Sequence, residues 1–406
     1  HHQRMKMVQT NRRTRNLLFK LHSWMGLHLF VLMSLFFLTG TLLVFVFQIE
    51  AIFFATERLQ APVALEERPT FGELYDQARL YAPDGVVLEI IRSSSDWIAD
   101  RAKLFVPGSG FRFVWFSSEG MAVGRETGAV DLRHVIHDLH VSFMAANKIT
   151  SLAATSFSFV LAAFLVSGIV TYRRFWRGFF RFPSTNLGPR GWWGGLHRLI
   201  AVWLLPFLII ISITGMYYFV DYLGLVKVRQ ISNAGMQTRE AALPKGFDGG
   251  SLDTAVAVAQ EVAPDLHIHM VRVPGLPRES IVVMGSDGAA LMGPGSSRIA
   301  VDPSSMEILD AITTKNIGMV GWVTNIVESL HFGTWGGLVS QWLWVVFGSL
   351  ATGLSLAGVM VYASRSFPAD QNGKSFARFW SGIMVLKWGY PLFFAGLIGI
   401  GLYRFL

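Results

Sequence analysis

The chain has 406 residues, of which 52% are hydrophobic, 13% aromatic and only 15% charged, with a formal net charge of +8. Soluble domains carry about 25% charged residues, so this composition predicts a polytopic membrane protein, and we assign no nucleic-acid partner. The chain contains no cysteine. Disulfides, cysteine-ligated zinc, iron–sulfur clusters and covalently attached c-type haem are therefore excluded. Any metal chemistry must use His, Met, Tyr or carboxylate side chains.

Apolar segments long enough to cross a bilayer, which needs about 20 residues, recur along the chain. Four of them occupy residues 17–54, 149–172, 196–222 and 338–362. The first is nearly twice the required length, which predicts a helix that projects beyond the bilayer. A fifth apolar segment, 379–405, is interrupted by Lys387, Trp388 and Pro391. This pattern is typical of a kinked span or of an interfacial helix, and we favour a span.

The distribution of charge predicts how the segments are oriented. Lys and Arg are concentrated in the N-terminal residues 3–20 and in the connection 173–195, which has no acidic residue. Such segments stay in the cytoplasm, and we place the short connection 363–378 on the same side. The longer segments 55–148 and 223–337 contain many Asp and Glu. We therefore expect both of them on the outer side.

The chain contains an internal repeat. The segment "LHSWMGLHLFVLMSLFFLTG" aligns without a gap to "LHRLIAVWLLPFLIIISITG", which pairs His22 with His197 and Thr39 with Thr214. The outer segments share an "APD" motif that separates a helical pattern from alternating, strand-like patterns. We read each outer segment as a small α+β lobe.

The repeat extends to the end of each lobe. There "DLHVSFMAA" matches "SLHFGTWGG", which pairs His140 with His331. Both copies run in the same direction through the membrane. The sequence therefore predicts a parallel duplication with a pseudo-two-fold axis along the membrane normal.

The repeat sorts four histidines into two pairs. His22 and His197 lie at the cytoplasmic ends of the first and third spans, and His140 and His331 lie on the outer side, just before the second and fourth. Two facing imidazoles are what bis-histidine ligation of a b-type haem requires. The alternatives are imidazoles hydrogen-bonded to lipid headgroups, a proton relay and a transition-metal site. The spans contain almost no carboxylates, which disfavours metal transport.

Other histidines fall outside this pattern. His28 is matched by Trp203 in the repeat, lies about 9 Å deeper than His22 and points about 120° away around the helix. It is a candidate to replace His22 as a ligand, to serve a deeper site or to hydrogen-bond a haem propionate. His137 is matched by Glu328, and we interpret it first as a neighbour of His140 or a surface residue and keep it as a secondary ligand candidate. We expect the three remaining candidates to be solvated: His134, His267 and His269.

The ordered motifs "LHSWMGL", "LHVSF", "GGLHRLIAVWLLPF" and "SLHFGTWGG" resemble the PepSY-associated transmembrane family over nearly the whole chain. Within that family the sequence is most similar to inner-membrane reductases that serve ferric-siderophore uptake in Gram-negative bacteria. The resemblance implies an α-helical polytopic fold with a parallel duplicated four-helix core, a fifth helix and two periplasmic α+β PepSY-like lobes. It also implies a bacterial inner-membrane location with a cytoplasmic N-terminus.

The resemblance further implies two non-covalent haem b groups, ligated by His22 with His197 and by His140 with His331. The implied function is transmembrane electron transfer that reduces a ferric siderophore in the periplasm and releases Fe(II). No Walker A loop or credible dinucleotide-binding fingerprint is present, so the electron donor is expected to be a cytoplasmic protein or a membrane quinol. Two alternatives remain, a haem- or peptide-binding PepSY sensor and a quinol-linked cytochrome b subunit of a larger complex. No catalytic side chain is assigned.

Overall fold

The computed structural model describes residues 2–53, 58–128, 132–172, 174–184, 186, 188–366 and 386–405. The long helices of this part of the chain are α1 (His2–Val44), α5 (Lys148–Thr171), α6 (Gly188–Tyr222), α9 (Gly337–Ser366) and α10 (Leu386–Phe405). The shorter helices are α2 (Val46–Phe53), α3 (Phe71–Tyr81), α4 (Leu132–Ser142), α7 (Gly249–Val262) and α8 (Gly318–Phe332). The strands are β1 (Val86–Ile91), β2 (Arg101–Val106), β3 (Gly110–Phe116), β4 (Ala122–Gly128), β5 (His267–Arg272), β6 (Ile281–Ser286), β7 (Ser297–Val301) and β8 (Ile308–Ile312).

Four helices of the described chain, α1, α5, α6 and α9, are long and apolar enough to cross a membrane. They lie where the sequence predicts the first four spans, and the protein is a multi-pass membrane protein. The first helix runs unbroken from His2 to Val44, and α2 begins after a turn at Phe45. The fifth apolar segment forms α10, which contains Pro391. Residues 367–378 of the predicted connection and 379–385 of the fifth segment lie outside the described residues.

The four long helices pack in a ring. Both α1 and α6 pack against α5 and α9, so α1 and α6 face each other across the diagonal of the bundle. Apolar side chains fill its middle, among them Met33, Leu204, Phe207, Leu208 and Ala351. Helix α4 packs on α1 and α5, and α8 packs on α6. This arrangement directs one face of α1 and one face of α6 toward the same interior.

All eight strands belong to one antiparallel sheet in the order β4-β3-β2-β1-β5-β6-β7-β8. The sequence predicts a small α+β lobe in each outer segment, and the structure joins the two segments where β1 pairs with β5 and Ile90 lies opposite Val271. Unpaired edge strands leave backbone hydrogen-bonding groups exposed, and this pairing satisfies one edge of each half. Helices α3 and α7 pack on one face, where both halves contribute to a single apolar core.

In the first turns of α3 and α7, a backbone N–H group of each helix donates to a carboxylate of the other. The Gly72 N–H donates to Asp253 Oδ1 at 2.8 Å, and the Gly249 N–H donates to Asp76 Oδ1 at 2.9 Å. Helix N-termini leave backbone N–H groups without internal partners, and here a carboxylate of the opposite helix supplies each one. A Cβ on either glycine would overlap the carbonyl of the other. Glycine at both positions lets the two helices cross at this distance.

Candidate functional site

His22 and His197, called the inner pair after their predicted side of the membrane, lie across the diagonal of the bundle. His22 extends from α1 and His197 from α6, and their ring centroids are 6.4 Å apart with the planes at 87°. Both rings are partly buried. The structure therefore brings together the two histidines that the repeat pairs at this end.

His140 and His331, called the outer pair after their predicted side of the membrane, lie beside the opposite ends of α1 and α6. His140 on α4 and His331 on α8 have ring centroids 6.4 Å apart with the planes at 59°. His331 occupies the last turn of α8, which Gly333 ends with a left-handed φ of 71°. Both outer histidines thus sit on short helices that lead into the spanning helices α5 and α9.

A threonine hydroxyl orients each outer imidazole. The Nδ1 atoms of His140 and His331 lie 2.9 Å from the hydroxyl oxygens of Thr39 and Thr214. Thr39 donates its own proton to the Leu35 carbonyl at 2.7 Å, and Thr214 donates likewise to the carbonyl four residues before it. Because each hydroxyl proton is used in this way, the hydroxyl oxygen accepts and the imidazole Nδ1–H donates. The protonated nitrogen is assigned from this network of hydrogen bonds.

The inner imidazoles also donate from Nδ1, but their acceptors differ. His22 Nδ1 donates to the Ser167 hydroxyl at 2.9 Å, and Ser167 in turn donates to the Ala163 carbonyl. His197 Nδ1 donates to the Leu354 carbonyl at 3.2 Å. When the helix ends "SGIVTY" and "AGVMVY" are aligned, Ala357 occupies the position of Ser167. The second half lacks that hydroxyl, so its imidazole bonds the backbone directly.

All four paired imidazoles therefore carry their proton on Nδ1 and keep a lone pair on Nε2. Metal-ligating histidines typically donate their other ring N–H to a carbonyl or other acceptor, which fixes the tautomer and the ring orientation. Burial, and after it the neighbouring His331, lowers the pKa of His140 to about 3. Burial lowers the pKa of His331 to about 4. The outer imidazoles are thus neutral at physiological pH, which is the form that binds a metal.

The spacing of the two rings in each pair matches that of two imidazoles that share one metal ion. A metal–imidazole bond is about 2 Å long, so one ion between two opposed rings separates their centroids by roughly 6 Å. Both pairs measure 6.4 Å. The described residues hold no group of three or more His, Asp or Glu suited to a metal. Two imidazoles alone suit a metal that brings its remaining ligands with it, as haem iron does.

Glycines lie against three of the four rings. An ideal Cβ at Gly40 would stand 3.1 Å from His140 Cε1, one at Gly358 would stand 3.2 Å from His197 Cε1, and one at Gly168 would stand 3.6 Å from His22 Cε1. These small residues let the imidazoles lie close to the neighbouring helices. The threonines, Ser167 and these glycines orient the candidate ligands, and the sequence analysis assigned them no such role. Thr39-Gly40 and Thr214-Gly215 nevertheless stand in the repeat, which is the signal that could have identified them.

The remaining histidines do not join either pair. His28 donates from Nδ1 to the Trp24 carbonyl at 2.8 Å and stacks on the Trp24 ring at 4.6 Å. The Tyr390 hydroxyl of α10 bonds the His28 carbonyl, so this position faces α10. His137 has a side chain 47% exposed, and its Nδ1 lies 3.4 Å from Asp138 Oδ1. Among the solvated candidates, His267 is exposed and His269 is partly buried on β5.

Comparison with known proteins adds one decisive match. A family model described as the PepSY-associated TM region matches residues 19–365. The chain belongs to the PepSY-associated transmembrane family. This confirms the resemblance that the four leucine–histidine motifs predict, and the matched range contains all four paired histidines of this family member. A search of curated proteins found no match.

Proposed function

We propose that this PepSY-associated transmembrane protein is a di-haem b electron-transfer protein that reduces a ferric siderophore on the periplasmic side of the inner membrane. One observation carries the proposal: two histidine pairs stand at opposite ends of one helix diagonal, and all four imidazoles present the same metal-binding tautomer. A single pair would also fit an interfacial or structural role. Two pairs with matching centroid distances favour a path for electrons from one membrane face to the other.

The chain's own residues hold and orient the proposed cofactors. His22 with His197 would bind one haem b, and His140 with His331 would bind the other. Each haem would carry one electron at a time. Ser167 and the Leu354 carbonyl fix the inner imidazoles, and Thr39 and Thr214 fix the outer ones. The apolar interior between the two pairs excludes water from the bundle.

The duplication predicted from the sequence forms part of the proposal. Each half follows the same order of spanning helix, lobe helix, four strands, histidine helix and spanning helix. We interpret the halves of the eight-stranded sheet as two PepSY-like lobes fused through β1 and β5. The basic ends of the spans support a cytoplasmic N-terminus and an inner pair on the cytoplasmic side.

The substrate follows from the family resemblance and from the chemistry of iron. Hydroxamate and catecholate oxygens are hard ligands that favour Fe(III) over Fe(II). Transfer of one electron to the chelated Fe(III) gives Fe(II), which the same ligands hold less tightly, so iron is released without cleavage of the siderophore. The electron comes from a cytoplasmic protein or a membrane quinol. The reaction requires no nucleophile or acid from the protein.

Two measurements on the purified protein test the proposal. A pyridine-haemochrome assay should give two haem b per chain, and an absence of haem b would refute both the reductase and the cytochrome b subunit. Stopped-flow spectroscopy should then show that ferric siderophore reoxidises the reduced protein. Haem that is present but not reoxidised would indicate a PepSY sensor or a quinol-linked subunit instead.

A further inference from the structure

A short segment between α5 and α6 folds back along the side of α6. This re-entrant segment comprises residues 174–183 and contains one turn of 3-10 helix at Phe175–Gly178. The chain enters it from Tyr172, whose ring lies 5.8 Å from the Arg198 guanidinium of α6. The segment therefore begins beside the Arg198 side chain.

The middle of the segment lies deeper than its entry. The Trp203 indole N–H donates to the Phe179 carbonyl at 2.8 Å, and the ring of Phe182 lies 6.3 Å from that of Trp203. Trp203 lies five residues farther into the spanning helix than Arg198, a distance of about 8 Å along its axis. The chain then leaves toward Pro183, which packs against Gly195, about 12 Å back along the same helix. The segment thus runs along α6 toward the middle of the predicted span and then returns.

The side chains of this segment combine aromatic rings with positive charge. Phe180 is 81% exposed, Phe182 68% and Trp176 61%. Arg174, Arg177 and Arg181 are exposed beside them. The sequence contains no acidic residue between Asp138 and Asp221. No carboxylate of this part of the chain can therefore neutralise these guanidinium groups.

We propose that the re-entrant segment is a binding surface for anionic phospholipids at the inner end of the bundle. The aromatic rings enter the boundary between headgroups and acyl chains, where such rings are favoured. The three arginines bind the lipid phosphates, because guanidinium groups match phosphate oxygens in charge and geometry. Anchoring to Trp203 favours lipid over a soluble acidic protein, because it holds Phe179 at a depth inside the span. The surface requires only the membrane-spanning architecture and is independent of the haem proposal.

The depth of the segment can be measured by spin labelling. The chain has no cysteine, so a nitroxide on Phe180→Cys or Phe182→Cys reports on that site alone. In nanodiscs containing phosphatidylglycerol, we expect both labels to be accessible to oxygen and shielded from a water-soluble nickel chelate. Ile213→Cys, on the exposed face of α6, is the lipid control, and Asn186→Cys is the water control. Trp203→Phe retains an aromatic ring but removes the indole N–H, and it should shift the Phe180→Cys label toward water.

The lipid preference needs a separate measurement. Retention of phosphatidylglycerol over phosphatidylcholine, read by native mass spectrometry, should fall roughly 30-fold in the variant R177Q/R181Q, since each arginine near an anionic surface contributes about fivefold. R12Q/R13Q removes the same charge from exposed positions on α1 and should leave retention unchanged. Equal losses in the two double variants, or labels at both Phe180 and Phe182 as exposed to the nickel chelate as the label at Asn186, would overturn the proposal.

Discussion

The hydroxyl oxygen of Thr214 on α6 lies 2.9 Å from Nδ1 of His331 on α8. Thr214 follows His197 by seventeen residues on the same helix, which places the two levels about 25 Å apart. One helix therefore supplies a candidate ligand at its inner end and orients a candidate ligand at its outer end. Thr39 and His22 repeat this relationship on α1. The repeat thus sets both the identity of the sites and the distance between them.

Loss of one paired histidine should remove one haem and leave the other. We expect His22→Ala or His197→Ala to halve the haem content by loss of the inner group, and His140→Ala or His331→Ala to halve it by loss of the outer group. The pyridine-haemochrome assay measures the amount, and the low-temperature α-band shows which haem remains.

The control for these variants is the solvent-facing His137. His137→Ala should retain both haems, because its exposed ring belongs to neither pair. Haem loss in this control, or full retention in all four paired variants, would contradict the ligand assignment.

Removing the hydroxyl beside His331 should weaken the outer site. Thr214→Val keeps the side-chain shape but removes the hydrogen-bond acceptor, and such changes typically cost 10- to 100-fold in metal affinity. The rate of haem transfer to apomyoglobin measures the effect. Thr39→Val should cost less, because the Phe36 carbonyl also interacts with the His140 ring.

Thr352→Val is the matched control for Thr214→Val. Thr352 lies on α9 and makes the same type of backbone hydrogen bond, to the Gly348 carbonyl at 2.9 Å. If it accelerated haem release as much as Thr214→Val did, the effect would come from general loosening of the bundle.

Ser167→Ala should have little effect at the inner site. The Phe164 carbonyl accepts from Ser167 at 3.2 Å and already interacts with the His22 ring, so it remains as an acceptor once the hydroxyl is gone. His197 already uses a carbonyl in this way, at Leu354. Because one neutral acceptor replaces another, we expect the rate of inner-haem release to change by less than about tenfold. Ser167→Leu, which places bulk against the ring, should instead abolish the inner haem.

The crossing of α3 and α7 should not tolerate a side chain at its glycines. Gly249→Ala places a Cβ against the Gly72 carbonyl, and overpacking of this kind costs about 1–3 kcal/mol. Guanidinium unfolding in detergent measures the free energy. Gly250→Ala, at the next position of the same helix, meets only Asp248 Oδ1 at 3.5 Å and should be neutral or stabilising. Equal costs at the two positions would exclude the close crossing as the cause.

The buried carboxylate of Glu50 connects α2 to the start of α4. Glu50 pairs with Arg58 at 2.8 Å and also accepts from the Leu132 N–H at 3.0 Å. Glu50→Ala leaves a buried guanidinium without its partner, which costs about 3–5 kcal/mol. It also removes a hydrogen bond from the helix that carries His140, so the outer haem should be lost first on heating. The exposed acid Glu66 provides the control. Glu66→Ala should leave unchanged both the unfolding free energy and the order in which the two haems are lost on heating.

The sequence by itself determined the spanning segments and the pairing of the histidines. Runs of about 20 apolar residues have few alternatives to a membrane helix, and four helices lie where they were predicted. The repeat pairs His22 with His197 and His140 with His331 without knowledge of any contact. The repeat also distinguishes His28 from the paired histidines, because the residue aligned with it is Trp203. In the structure each of these two residues contacts an element without a counterpart in the other described half. His28 contacts α10, and Trp203 contacts the re-entrant segment.

Only the tertiary structure decided how these parts meet. Ser167 lies 145 residues from the imidazole it orients, and periodicity along one helix does not determine which residue of another helix faces it. The fusion of the predicted lobes into one sheet depends on strands β1 and β5 meeting at their edges, and an alternating pattern is compatible with any such partner. The re-entrant path of residues 174–183 depends on one indole N–H that reaches a distant carbonyl. Hydropathy and charge could place these residues at a membrane surface, but only packing against α6 set their depth.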